Sequence, residues 1–500
     1  MNEPSISDRA RVAEPRKAAA AIILDDARRD ELLLVRRSDK LRFMGGYHAF
    51  PGGSIHDAEG AAHITGAEDA ETAAAIHALV REVFEETGLL LGVERAPSAD
   101  ILRQARRAVL GEESAFDVFL RRHALRIDAR RFEPAGLWIT PRMSPIRFHT
   151  RYFLYRHLGP RSEELIEGEL DELLWINPAE ARRRWRQGDI LLPAPVAYAL
   201  QQLSDFGYPA ALAPLRRTTH LEPAEPGRIE YRAGIYVFPL RTPTLPPATH
   251  TNMIAVGERR IFLIDPGTPY ETDQALLRRQ LEHLLEAGGR LEAVLLTHSH
   301  PDHVGAADFV RQVFGAPVWA HARTAERVRF AVDRLLEDDE ILIVPGGPDW
   351  RLRCLHTPGH DPGHLCFFEE TSRTLICGDM VAQGSTIVVS PRHGGDMTDY
   401  LRSLERLTRL EATLMIPAHG APLHDPASVL RQYIDHRLWR EERIRAALAD
   451  GPRTRQELMS AAYDDVPREM WRWAEHSLEA HLRRLGHSIP DASDANASRD

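Results

Sequence analysis

The apolar residues of this chain fall in short unbroken runs. AAAAIIL (Ala18–Leu24) stops at Asp25 and Asp26, and LLLV (Leu32–Val35) stops at Arg36 and Arg37. Such runs, bounded by charge, read as strands. The second leads into a loop rich in glycine and arginine that closes on FPGG (Phe50–Gly53). VREVFEETGLL (Val80–Leu90) reads as a helix ended by Gly88, with Glu82, Glu85 and Glu86 three and four residues apart and so on one face. Strands and helical patterns alternate to about Leu215. RRTTHLEPAEPGR (216–228) has no periodicity and carries two prolines, which predicts a linker. A second block, 229–426, sets strands such as IFLID, AVLLT, APVWA and TLICGD between helices, and 427–487 is almost wholly helical. Segments 1–15 and 488–500 are polar and small, and are expected to be disordered.

The length fits this division, since 500 residues are too many for one core. The balance of 73 acidic and 63 basic residues gives a net charge of −10, which weakly disfavours a polyanion-binding surface over the whole molecule. Cys354, Cys366 and Cys377 lie in apolar segments and their odd number cannot all pair, which suits a reducing compartment. AAAAIIL superficially suggests a signal peptide, but it is short and meets two aspartates at once. No apolar stretch approaches the roughly 20 residues of a membrane span. A cytoplasmic protein without membrane contact is expected. Nothing in the sequence sets the oligomeric state.

The firmest chemistry is LLTHSHPDHVGA (Leu295–Ala306). A strand ends and His298, His300, Asp302 and His303 follow at once, offering the imidazole and carboxylate donors that zinc accepts. HTPGHDPGHLCFF places His364 in a loop between apolar runs, while LICGDM and LMIPAHG put Asp379 and His419 at strand ends. His356 and His360 are left unassigned.

These motifs resemble the metallo-β-lactamase superfamily. The resemblance implies an αββα sandwich holding two metals, zinc or else iron or manganese. It implies His298, His300 and His364 on the first metal, Asp302, His303 and His419 on the second, and Asp379 between them. Such a pair activates a water near neutral pH and polarises the scissile carbonyl or phosphoryl, with Asp302 orienting the nucleophile. The family form has threonine where this chain has Asp361. The tail segments HRLWREERIRAAL, TRQELMSAAY and AHLRRLG, with GDMTDYLRSLERL before them, resemble the winged-helix appendage of a subgroup that includes a single-strand endoribonuclease and thioesterase-like enzymes. Arg437, Arg440, Arg443 and Arg445 are then candidate phosphate contacts. Asp435, Glu441 and Glu442 interleave with them, which favours a solvated helix face packed on the hydrolase.

Upstream, three clustered carboxylates call for a hard cation such as magnesium or manganese. Gly53, Glu59 and the run Arg81–Leu89 resemble the Nudix box, G-x5-E-x7-REUxEExGU, except that twenty-one residues separate Glu59 from Arg81. The excess is expected to lengthen the loop before the helix. Leu33, Leu34, Arg37, Ser38, Arg42, Gly46, Phe50, Pro51, Gly52 and Gly53 resemble the signature of the coenzyme A diphosphatase branch, with Val35 in place of its threonine. Glu169 is a further candidate ligand or base.

The resemblances imply a Nudix α/β/α sandwich over 16–215, a lactamase-type domain over 229–426 and a winged-helix appendage over 427–487. They imply a bifunctional metal-dependent hydrolase. Its Nudix half would cleave the diphosphate of CoA or acyl-CoA through Glu82, Glu85 and Glu86, with Arg37, Arg42, Gly52 and Gly53 on the substrate. Its second half would act on a thioester or other ester. Two alternatives stand beside this: an endoribonuclease in the second half, with RNA as partner, and a non-catalytic CoA or nucleotide sensor in the first.

Overall fold

The computed structural model describes residues 14–487, except 26, 29–30, 40, 42–43, 57–60, 141–145, 160, 162, 166–168, 218–227, 247, 287, 347–348, 384–385 and 450–453. Residues 1–13, the tail 488–500, most of the expected linker, Glu59 and Arg42 therefore lie outside the described residues. The chain divides into two compact units. One spans Ser5–Gly227 with Tyr231–Ala233, and the other holds 228–230 and the chain from Gly234 onward.

The first unit is built around the strand Arg16–Asp25. It pairs in parallel with Phe148–His157 along its whole length and antiparallel with Gly52–Ser54 and Leu32–Arg37. Its alternate residues enter different cores. Ala19, Ala21 and Ile23 pack with Ile76, Leu79, Val83 and Phe84 of the helix Ala70–Thr87. Ala20, Ile22 and Leu24 pack with Trp185, Leu200 and Leu203 of the helices Pro178–Arg186 and Ala194–Phe206. A strand covered on both faces needs no polar alternation, which is why AAAAIIL has the look of a secretory core.

The residues between Glu59 and Arg81 do not simply lengthen a loop. Ala61–His63 form a 3-10 turn, Ile64–Thr65 pair with Ile127–Asp128, and the helix begins at Ala70, three turns before the carboxylates. Asp69 caps it by accepting the Thr72 N–H at 2.6 Å, and Gly88, with φ of 81°, closes it. Buried Ile76, Leu79, Val80 and Val83 fall at helical spacing, so the inserted sequence gains more from burial on the sheet than as a solvated loop.

In the second unit one sheet runs from Ile235–Arg241 through His250–Val256, Arg260–Ile264, Arg290–Leu295 and Val318–His321 to Arg334–Leu336. The other comprises Ile341–Val344, Trp350–His356, Leu365–Glu369, Thr374–Gly378 and Leu414–Pro417. Helices Glu271–Leu285 and Ala307–Phe314 pack on the first sheet, and Met397–Thr408 and Pro426–Ala449 on the second. This gives a helix–sheet–sheet–helix sandwich. Arg455–Ala462 and Trp471–Arg484 close a small further core around Ile444, Leu458 and Leu482.

Two of the four tail arginines are buried instead of solvated. Arg437 donates to the Ile387 carbonyl and lies over the Tyr400 ring, and Arg440 meets Asp465 at 2.6 and 2.8 Å. Arg443 pairs with Asp464 at 2.6 Å and Arg445 with Glu442 at 2.5 Å. The three cysteines are free thiols inside the second unit. Among the described residues no helix is long and apolar enough to cross a membrane.

Phe84 is fully buried and stacks on Phe119 with ring centroids 5.8 Å apart. Phe84→Ala is expected to cost the first unit about 3–5 kcal/mol. Calorimetry of the full chain checks this, and an unchanged unfolding profile would contradict the core placement.

Candidate metal centres

Strand ends of both sheets of the second unit meet at one place. The strand Arg290–Leu295 runs out through Thr297 to His298 and His300, and the short helix Pro301–Val304 carries Asp302 and His303. Asp379 follows the strand Thr374–Gly378, and His419 follows Leu414–Pro417. Backbone bonds tie the sheets together at this level. The Leu365 N–H donates to the Thr297 carbonyl at 2.8 Å, and the Asn252 N–H to the Ala418 carbonyl at 2.7 Å.

Two donor groups result, His298, His300, His360 and Asp379 in one, and Asp302, His303 and His419 in the other. His300 Nδ1 lies 3.0 Å from both His298 Nε2 and His360 Nε2. Asp379 faces both groups, with Oδ2 3.4 Å from His360 Nε2 and Oδ1 3.6 and 3.4 Å from His303 and His419 Nε2. Asp302 Oδ2 stands 3.9 and 3.6 Å from the same two imidazoles. Most of these separations are long for hydrogen bonds. A tetrahedral zinc with donors about 2.0–2.1 Å away sets neighbouring donors about 3.3 Å apart.

Three of the rings are held from behind at their other nitrogen, which turns the facing nitrogen inward. His303 Nδ1 bonds Asp265 at 2.8 Å, His360 Nδ1 the Val388 carbonyl at 2.9 Å, and His419 Nδ1 the His250 carbonyl at 2.9 Å. His303 Nε2 and Asp379 Oδ1 are buried with no hydrogen-bond partner, an arrangement costly for a protein alone and natural for cation ligands. Burial, reinforced by the neighbouring imidazoles, holds His298 well below the usual histidine range, and burial with His360 takes His300 to about 4. Burial opposes charge on His303, but Asp379, Asp302 and Asp265 outweigh it and hold that ring protonated. A proton thus stands where a cation would neutralise the carboxylates, and binding of the cation would release it. The donor set fits two divalent ions.

One expected ligand is corrected. His364 belongs to neither group: its Nδ1 bonds the Thr357 hydroxyl at 2.9 Å and its Nε2 accepts the Asp379 N–H at 3.1 Å. It bonds the backbone of Asp379, while His360 stands in the donor group in its place. Both histidines lie in the same Gly-Pro loop, and residue type alone does not separate them. The distinguishing signal is that His364 abuts the apolar strand Leu365–Glu369 and is drawn into the sheet. Asp361 is buried and accepts from Ser299 Oγ at 2.8 Å, the Gly363 N–H at 2.7 Å and Arg327 at 3.3 Å, tying the two ligand loops together. Asp265, unnoticed in IFLID, also accepts the Thr297 N–H and hydroxyl at 2.8 and 2.6 Å. His356 lies apart, stacked on His321.

In the first unit the three carboxylates share a helix face against the glycine strand. Gly52 donates its N–H to Glu86 Oε2 at 3.0 Å. A Cβ on Gly53 would stand 2.3 Å from the Glu82 carboxyl carbon, so a larger residue there would push that carboxylate out of its place. Arg81 bonds Glu82 at 2.9 Å and Glu85 at 3.0 Å. Arg37 and Glu169 both act electrostatically on Glu86, and Arg37 Nε is buried without a hydrogen-bond partner. Arg106 is an unforeseen contributor: it donates to the Glu85 and Glu86 carbonyls at 3.0 and 2.8 Å and caps the end of the helix. Burial raises Glu85 to about 7, against the pull of Arg81, and burial with the Glu82 charge raises Glu86 to about 8. One arginine does not offset three carboxylates, which fits a bound hard cation.

Two outcomes follow. His360→Ala is expected to lower bound metal by about one ion per chain, whereas His364→Ala retains both, as measured by elemental analysis. The reverse result would restore His364 as the ligand. Glutamates titrating near 4.5 when unfolded but near 7 and 8 when folded bind more protons in the folded state. In chelator the first unit should therefore lose stability as pH rises from about 5 to 8, and Mg²⁺ should restore most at the upper end. A pH-independent melting curve would contradict the cluster.

Family models match this chain in three places: the NUDIX domain over residues 14–192, the metallo-beta-lactamase superfamily over 246–419 and the beta-lactamase associated winged helix domain over 454–487. Lactamase-like protein vrtG of Penicillium aethiopicum is 29% identical over 287 residues, 56% of this chain and 85% of the relative. Atrochrysone carboxyl ACP thioesterase of Aspergillus fumigatus is 27% identical over 239 residues, 44% and 70%. A crystal structure of a NUDIX hydrolase from Alicyclobacillus acidocaldarius is 30% identical and covers 41% of this chain and 97% of its own, with a TM-score of 0.37. The chain is a metal-dependent hydrolase that joins, in order, a NUDIX domain, a domain of the metallo-beta-lactamase superfamily and a beta-lactamase associated winged helix.

Proposed function

We propose that the second unit hydrolyses a thioester or related ester and that the first cleaves the diphosphate of CoA or an acyl-CoA. The observation that carries the first part is Asp379, which turns one oxygen to each imidazole group beside a cavity of about 330 Å³. Two divalent ions bound there would supply Lewis-acid activation of water and carbonyl. Burial keeps His298 and His300 neutral with their lone pairs turned inward, and His360 Nε2 faces the same group. The Asp302 carboxylate, which also lines the cavity, takes the proton of the attacking water and passes it to the leaving group. The thioesterase activity in the name of the Aspergillus fumigatus relative supports this chemistry.

For the first unit the support is the carboxylate helix, on whose Glu86 the Arg37 guanidinium acts electrostatically. Glu85 and Glu86, raised towards neutral pH, suit a general base that deprotonates water for attack on the diphosphate. Gly52 and Gly53 leave room for phosphate against the strand, and the Arg37 guanidinium matches phosphate oxygens. Magnesium or manganese would fill the oxygen-rich first site and zinc, iron or manganese the nitrogen-rich second. Buried free thiols support a reducing, cytoplasmic setting. The tail arginines all have intramolecular partners, which weighs against their serving as phosphate contacts for RNA.

Incubating the full chain with Mg²⁺ and CoA is expected to yield 3′,5′-ADP and 4′-phosphopantetheine by product mass, with at least about a 100-fold rate loss in Glu85→Gln, Glu86→Gln. Tight CoA binding without turnover would instead favour a sensor. With Zn²⁺ and acyl thioesters the wild type should release thiol, and His300→Ala should lose both that activity and bound metal. Cleavage of labelled RNA with no thiol release would overturn the thioester reading.

A further inference from the structure

The cavity beside the dinuclear site has walls from two sources. The lactamase fold contributes Leu245, Ile387 and Val388, and the C-terminal helix Trp471–Arg484 contributes Trp473 and His476. The metal-group residues His300, Asp302, His360, Asp379 and His419 line the same space. Among the described residues lining it there is no arginine or lysine, so it offers little to a polyanion. Its size and apolar walls match a small-molecule pocket.

The helix that carries Trp473 is fastened to the rim. His476 Nδ1 and the Ser390 hydroxyl share a bond of 2.9 Å, and Arg392 meets Glu479 at 3.2 Å. Ala480 is buried in the same core as Leu401 and Leu404 of the hydrolase helix Met397–Thr408. The Ile387 carbonyl, on the cavity wall, accepts from Arg437 of the long helix that leads into the appendage. Arg472 stands 3.7 Å above the Trp473 ring and steadies the indole. The appendage therefore presents a fixed aromatic surface to the reaction site.

We propose that Trp473 is a specificity-determining residue of the lactamase-type site. It forms, with Leu245, Ile387 and Val388, the subsite for an apolar acyl group, and His476 positions the helix through Ser390. This rests on the thioester reading above and assigns the substrate class as thioesters of apolar acids. The winged helix then acts as a wall of the active site. Its sequence position, more than fifty residues beyond the last metal ligand, concealed the role.

The test uses the full chain loaded with Zn²⁺ and a series of acyl-N-acetylcysteamine thioesters from acetyl to decanoyl, scored by thiol release. Wild type is expected to gain kcat/KM with chain length. Trp473→Ala should lose about tenfold or more on decanoyl, mainly through KM, and distinctly less on acetyl. Trp473→Phe should recover most of the preference, and both variants should keep wild-type metal content. An equal loss on every chain length, or none, would overturn the proposal. The decyl thioether of N-acetylcysteamine, which cannot be hydrolysed, separates this from the activity itself. Calorimetric binding to wild type that weakens in Trp473→Ala supports the subsite even if no thioester is cleaved. No binding to wild type, or equal binding to both, overturns it.

Discussion

The second unit is organised around one buried carboxylate. Asp379 is 8% exposed and divides its two oxygens between separate clusters of imidazoles. An isolated charge so placed would be very costly. It is tolerable because imidazoles from three segments face it, with His303 held protonated against it, and that requirement governs what the loops do. His364 donates no ligand but accepts the Asp379 N–H, and the left-handed Gly378 before it packs against that ring. Asp265 keeps the His303 ring turned towards Asp379, while also bonding Thr297 at the end of the neighbouring strand. Sheet packing, loop conformation and electrostatics are thus solutions to one problem.

The first unit solves a similar problem with different materials. Its carboxylates are gathered on a helix, held by Arg81 in front, Arg106 at the carboxyl end and the Gly52 amide across the groove. Oxygen donors with raised proton affinity favour a small hard cation, and imidazoles depressed by burial favour a softer one. One polypeptide therefore presents two chemically different donor sets, one of oxygens and one mostly of imidazole nitrogens.

Much of this was legible in the sequence wherever a ligand type coincided with a strand end or a helix period. His298, His300, Asp302, His303, Asp379 and His419 lie together because loops after strands converge at one end of a sandwich. The pattern took His364 and left His360 unassigned, although the two share a loop and differ in which one the sheet absorbs. It also missed Arg106 and Asp265, since a residue that bonds a distant backbone or ring leaves no local spacing. The inserted sequence before Arg81 looked like loop because its apolar face becomes meaningful only against the sheet that covers it. The tail arginines looked like a charged surface because their acceptors, at Ile387, Ala462 and Asp465, are far along the chain.

Cys366 and Cys377 sit in strands beside the centre, with the Cys366 thiol against Thr357 and pushed by burial up to about 12. Burial likewise pushes Cys377 well up and Cys354 up to about 12. Disulfide exchange proceeds through a thiolate. An enzyme that liberates small thiols at its own active site accumulates a product able to form mixed disulfides with any exposed, ionised cysteine. Here the sulfurs are inaccessible and protonated, so the protein is chemically deaf to small thiols and disulfides around it.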